Sequence, residues 1–222
     1  MALDGSYAGL KASIADLLNR TDLSAAIPDF IALAEAQMAR RFVSRMKDGE
    51  AFPRRLVNRA DAPVAAGAEY VAVPPDFLGP LELLLEPLNE LDFVGIAVLQ
   101  RLKSRGRWAG APKWYAVVGG QFQLYPPADQ AYTAELTYVS RVPGLSDAAP
   151  SNWILEDYPD VYLYGAATAS APYLKDDGRI SMWGTLFTTA IDDICNADPM
   201  PTGKSILQCD VPSSRWHVRT DH

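Results

Sequence analysis

Histidine is nearly absent from this 222-residue chain: there are two, His217 and His222, both in the C-terminal segment. A histidine-dependent triad or a multi-histidine metal site therefore lacks its parts. Cysteine is equally scarce, and Cys195 and Cys209 make neither a CxxC motif nor a metal-ligand spacing. No apolar run approaches the ~20 residues that a membrane-spanning helix needs. The opening MALDGSYAGLKASIADLLNR has no basic stretch followed by an apolar core, so no signal peptide is read there. Reduced thiols in a cytosolic setting are expected over a disulfide. GxSxG and GxGxxG are missing too. PTGKS at 201–205 has Asp198 where a phosphate loop requires its first glycine, and it reads as a surface turn. The adjacent acids Glu156-Asp157, Asp176-Asp177 and Asp192-Asp193 would diverge by about 100° on a helix, which is poor geometry for a carboxylate dyad. Helix-terminal acids more often face solvent or complement a helix dipole. These absences argue against an enzyme, and neither cofactor nor metal is expected.

Basic charge is also in deficit. The net charge is −7, and residues 150–198, with two basic and eight acidic side chains, hold −6 of it. A general nucleic-acid binder carries a basic excess, because phosphate neutralisation drives its affinity. The local exception is RLKSRGRWAGAPK, 101–113, with five basic residues and no acid. With Trp108 and Trp114 close by, this run has three readings: a single-strand stacking surface, a solvated loop, or an interface to an acidic partner surface.

What is present is the composition of an ordinary folded protein, 49% hydrophobic and 21% charged, long enough for one large domain or two small ones. Tyr7, Leu10, Ile14, Leu17 and Leu18 form one helical stripe, and Ile27, Ile31, Ala34, Met38 and Phe42 form a second, with Pro28 in a tolerated first-turn position. From Gly49 the texture changes to short extended runs. EYVAVP (69–74) and LELLLEP (81–87) read as strands with VPPDFLGP turning between them. Helical spacing returns over 89–105, with Asn89 as N-cap. In KWYAVVGGQFQLYPP (113–127), two β-rich runs flank Gly119-Gly120, the signature of a two-residue hairpin. AYTAELTYVSRVP (131–143) alternates as a strand with two unlike faces. Two helices follow, roughly 153–174 and 177–196. The fold class is α+β, a mainly α-helical bundle with an inserted β-rich subdomain and an extended C-terminal tail. The bundle takes 1–48 and 150–198, the insertion with one helix 49–149, and the tail 199–222.

The densest stretch is SNWILEDYPDVYLYGAATASAPYLKDD, 151–177. Tyr158, Tyr162, Gly165, Ala166, Ala169 and Tyr173 recur at steps of three and four, so they predict one helical face. Large aromatics followed by small residues make a packing face, the small residues letting a neighbouring helix approach closely.

LNRTDLSAAIPDFIALAEAQMARRF (18–42), YVAVPPDFL (70–78), WYAVVGGQFQLYPP (114–127), LTYVSRVPGLSDAAPSNWILEDYPDVYLYGA (136–166) and APYLKDD (171–177) occur in this order. Together they resemble the head-to-tail adaptor (connector) proteins of tailed bacteriophages, particularly short-tailed ones, with relatives in gene transfer agents. The resemblance covers roughly residues 5–196. It implies a structural virion protein at the head–tail junction, assembled from the host cytoplasm as a homododecameric ring. The ring would sit between the portal protein and the tail nozzle or fibre proteins and extend the channel through which the genome is ejected. Twelve copies of a chain at −7 carry about −84, and such a field would let DNA slide through without specific binding.

The segregated charges suggest that some of Arg101, Lys103, Arg105 and Arg107 face acids of an adjacent subunit. In the tail, Trp216 is the expected anchor on the portal, flanked by Arg215, Val218 and Arg219. Two other function classes remain open on the residues alone. One is a carbohydrate-binding or glycan-active protein using the β-rich insertion and its aromatics. The other is a cytosolic binding module with no portal partner. No membrane association is expected.

Overall fold

A computed structural model describes residues 3–87, 90–106, 110–174 and 178–200. Among these residues the chain is mixed α and β, with six α-helices and two sheets. It divides into two compact units. Among the described residues, one comprises 3–60, 74–81 and 137–200, and the other 61–73 and 82–136.

The first unit is built on helices. α1 (Tyr7–Leu18) starts where the Ser6 hydroxyl accepts the Gly9 N–H at 3.0 Å, and it stops at Asn19 in a left-handed conformation, φ 50°. Its stripe buries Tyr7, Leu10, Ile14 and Leu18. α2 (Ile27–Lys47) carries Pro28 in its first turn and buries Ile27, Phe30, Ile31, Ala34, Met38 and Phe42. The long helix read over 153–174 is in fact two. α4 (Trp153–Asp157) ends at Tyr158, whose φ −137° and ψ 58° are not helical, and α5 (Pro159–Ala169) begins on the next residue. Proline supplies the reason: its ring disfavours helical geometry in the residue before it and it has no N–H to continue the ladder. α6 (Ile180–Ala197) completes the set.

α5 is the centre of this unit. It packs against α1, α2, α4 and α6, and Val161, Tyr162, Leu163, Gly165, Ala166, Ala167 and Ala169 are all buried. A helix that is apolar nearly all round belongs inside. At Gly165 a Cβ would lie 2.7 Å from the Phe187 ring on α6 and 2.8 Å from the Ala34 methyl on α2. Only glycine allows both neighbours that close.

The strands are β1 (Val57–Val64), β2 (Tyr70–Ala72), β3 (Phe77–Glu86), β4 (Asp92–Phe93), β5 (Trp114–Val118), β6 (Gln121–Tyr125) and β7 (Tyr132–Ser140). A three-stranded sheet has the order β1-β7-β3. Its two outer strands contain Pro63 and Pro80, and its central strand has no proline, as the missing N–H of proline demands. This corrects the reading of VPPDFLGP as a turn: the strand starts at Phe77 and runs through Gly79-Pro80.

The second unit holds the four-stranded sheet β2-β6-β5-β4 and α3 (Ile96–Ser104). β5 and β6 pair antiparallel with Val118 opposite Gln121, and Gly119 and Gly120 turn the chain at φ 57° and 77°. The helix read over 89–105 is shorter than its periodicity suggests. Asp92 and Phe93 pair in parallel with Trp114 and Tyr115. The N–H groups of Asp92 and Val94 donate to Lys113 and Tyr115 carbonyls, both at 2.9 Å, so the sheet claims residues that a helix would need. Asn89 lies outside the described residues; the N-cap position is Gly95. Val94, Leu99, Ala116 and Tyr125 form the apolar centre under α3.

The segment read as a tail is anchored at its start. The Asp198 carbonyl accepts the Arg54 N–H at 3.0 Å, and the Met200 N–H donates to the Phe52 carbonyl at 2.9 Å. Residues 201–222 lie outside the described residues.

Candidate functional site

The face read over 151–177 divides by environment. Tyr162 and Ala166 have no exposed surface, Ala169 retains 8%, and Gly165 is buried between its two helices. Tyr158 sits in the break between α4 and α5, half-buried, with its ring edge-on to Trp153 at 6.4 Å between centroids. Tyr173 lies beyond α5 in a short 3-10 turn; it is 53% exposed and meets Phe30 edge-on at 5.1 Å.

A polar network that the spacing did not reveal surrounds Tyr162. The Asn152 side-chain amide donates to the Tyr162 hydroxyl at 2.7 Å and to the Pro143 carbonyl at 2.8 Å. Its carbonyl oxygen accepts the Leu155 N–H at 3.0 Å, capping α4. The Tyr162 hydroxyl in turn lies 3.4 Å from Glu35 Oε1, which also accepts the Leu145 N–H at 2.7 Å. Burial pushes the Glu35 carboxyl above its ordinary range, and the hydrogen bonds from Leu145 and Tyr162 offset only part of that. Burial likewise raises the Tyr162 hydroxyl. Glu35 and Tyr162 edge a cavity of about 220 Å³ that Met38, Phe42, Leu78 and Arg141 also line. The network ties the loop 141–152 to α2 and α5. No cysteine, serine or lysine nucleophile stands beside Glu35 in that lining, so its shifted carboxyl reads as a half-buried structural acid.

A second clamp joins α2 to α6. Arg45 reaches Asp192 at 2.9 Å, Glu50 at 3.3 Å and, through Nε, the Ala51 carbonyl at 2.8 Å, with Arg41 adding a longer contact to Asp192 at 3.4 Å. Cys195 is buried nearby and unpaired; burial pushes its thiol up to about 11, far from a reactive thiolate. Among the described residues, no three His, Cys, Asp or Glu side chains gather as a metal site, and no helix is long and apolar enough to cross a membrane.

The cations singled out on α3 and after it have different surroundings. The Lys103 ammonium is bonded to Glu69 of its own chain, and Glu69 also accepts from the buried Gln123 amide at 2.6 Å. Burial raises the Glu69 carboxyl, but the bonds from Lys103 and Gln123 and the Lys103 charge together hold it below its ordinary range. Lys103 therefore serves its own unit. Arg101 and Arg105 are exposed and make no ion pair among the described residues. Arg107, and the four tail positions Arg215, Trp216, Val218 and Arg219, lie outside the described residues.

Sequence reasoning missed Glu35, Asn152, Glu69 and Gln123. Only Asn152 carried a local signal, a capping residue just ahead of the apolar Trp153-Ile154-Leu155. The other three act through partners far away in sequence.

What this geometry offers is a pinned helical core, exposed charge on α3, and no assembled catalytic set among the described residues. Comparison with curated proteins gives no match. The family profile described as SU10 adaptor protein matches residues 6–205, a span that includes every helix and strand described above. The chain belongs to the SU10 adaptor protein family, the adaptors of the phage head-to-tail junction.

Proposed function

We propose that this chain is a structural virion protein that assembles with copies of itself into a ring of twelve between the portal and the tail nozzle or fibres, extending the DNA channel. The single observation that carries this reading is the family match across residues 6–205. In this reading the helices of 1–48 and 150–198 form a bundle that acts as the ring's body, and 49–149 is a β-rich insertion. The segment from 199 docks on the portal through Trp216, with Arg215, Val218 and Arg219 beside it.

The charge distribution supports the same reading. With −6 concentrated in residues 150–198, a ring of such chains would present a field that repels DNA phosphates, so the genome would pass without specific binding. The role is non-enzymatic: the protein contributes shape, charge and contacts.

The test is to mix the purified full-length chain with portal rings and measure mass and binding. Twelve copies per portal ring support the proposal. A chain that neither self-associates nor binds portal rings overturns it, and glycan binding would then favour the carbohydrate reading.

A further inference from the structure

The solvent side of α6 is unusual for a surface helix. From Ile180 to Ile191 it carries no charged residue, yet Ser181, Met182, Thr185, Leu186, Thr188 and Thr189 are all exposed. Met182 is 51% exposed and Leu186 37%. The solvent side of α2 also exposes an apolar residue, Leu33, but sets it among Asp29, Arg40, Arg41 and Lys47. A solvated helix face is normally charged or polar, so an uncharged face with two large apolar side chains is a surface suited to being covered.

The pattern along that face specifies its cover. Leu186, Thr189 and Asp193 stand at i, i+3 and i+7, one stripe of the helix. On α3 and its C-cap, Val98, Arg101 and Arg105 stand at the same three steps, Arg105 keeping helical backbone angles (φ −76°, ψ −6°), with Val98 37% exposed and both arginines exposed. Each stripe is apolar toward its N-terminal end and charged toward its C-terminal end, and the charges are opposite. Seven residues span about 10 Å on either helix. Two helices laid parallel thus place Val98 against Leu186 and Arg105 against Asp193 in one register, whereas an antiparallel arrangement sets each charge against an apolar side chain. Arg105 and Asp193 are both exposed and make no ion pair among the described residues, so both are free to take a partner. Asp192, its neighbour, is already held by Arg45.

We propose that the α6 stripe of one copy receives the α3 stripe of the next. The contact joins two different surfaces, so each copy keeps one of each open, and repetition generates a closed ring or a filament. The inference rests on the self-assembly reading above and names the surfaces that carry it. The apolar pair would supply the desolvated centre, and the Arg105–Asp193 pair would set register.

The test uses full-length protein with Cys209→Ser, which leaves only the buried Cys195. Copies carrying Val98→Cys are mixed with copies carrying Leu186→Cys and oxidised under assembling conditions. A disulfide-linked dimer is expected in the mixture and not in either variant alone. A dimer formed by Leu186→Cys alone would make the contact like-with-like and overturn the proposal. In a Leu186→Cys chain that retains Cys209, an internal disulfide would put the terminal segment on this face and overturn it equally. Separately, Arg105→Glu should weaken assembly about tenfold or more, and Asp193→Arg added to it should restore it. Assembly that proceeds without the crosslink and ignores the charge swap sinks this inference alone. A chain that remains monomeric throughout, with portal present, sinks the self-assembly reading with it.

Discussion

The Asn152 amide donates to the Tyr162 hydroxyl at 2.7 Å in a buried setting, joining the residue that caps α4 to the centre of α5. One hydrogen bond thus connects a helix start, a long loop and the core. Tyr162→Ala removes both the ring and the acceptor and should cost ~3–5 kcal/mol of stability, as large aromatic deletions do. Tyr162→Phe keeps the ring and strands one buried donor, for ~1–3 kcal/mol. Chemical denaturation of both variants checks the order; equal losses would mean that the ring contributes nothing.

Gly165→Ala tests the close approach of three helices. The new methyl would meet Phe187 at 2.7 Å and Ala34 at 2.8 Å. The helices must part, at ~1–3 kcal/mol, although alanine is intrinsically the better helix former. A stabilised variant would show that α2 and α6 are not pressed against α5 there.

Glu35 gives a pH dependence of definite sign. Its folded carboxyl is held above the ordinary value of 4.5 by burial. Below that value the folded and unfolded chains both carry the proton. As pH rises the unfolded chain ionises first, so the folded state loses stability between 4.5 and the raised folded value. Glu35→Gln keeps an acceptor for the Leu145 N–H and the Tyr162 hydroxyl but cannot ionise. Its stability relative to the parent should rise through that window and then level off. Denaturation midpoints measured from acid to neutral pH would read this directly, and parallel curves for the two proteins would refute it.

Glu69 should behave in the opposite sense. Its carboxyl is held below the ordinary value, so its contribution is present above the unfolded value and is lost as pH falls through the folded one. Glu69→Gln should flatten the acid side of the stability profile, and hydrogen exchange in α3 and β6 should report the loosening. A profile unchanged on the acid side would show that the Lys103 and Gln123 bonds are not formed in solution.

Where local chemistry decides, the sequence was readable. Gly119-Gly120 marked the hairpin turn because both positions take positive φ, and the stripes of α1 and α2 bury the side chains that their spacing singles out, except Leu17, which stays half-buried. It was unreadable where long-range pairing overrides periodicity. Asp92 and Phe93 continue a helical pattern yet pair with β5, because the neighbouring strand supplies partners for their backbone. Tyr158 and Tyr162 are spaced as one helix, and Pro159 breaks it between them. The cations 101–107 look alike in sequence, but Glu69 folds back from 34 positions upstream to take Lys103. Nothing local to Lys103 announces that.

A chain ending at Gly203 keeps the contacts of Asp198 and Met200 with Arg54 and Phe52. It should fold with the stability of the full chain while binding portal rings more weakly. Full affinity after the truncation would remove the docking role assigned to Trp216 and its neighbours.

The central claim is that this chain forms the ring joining head to tail, and native mass spectrometry of the full-length protein with portal rings tests it most directly. The account predicts a complex with twelve copies of the chain on one portal ring. Portal rings that stay bare in the presence of excess folded chain would contradict it.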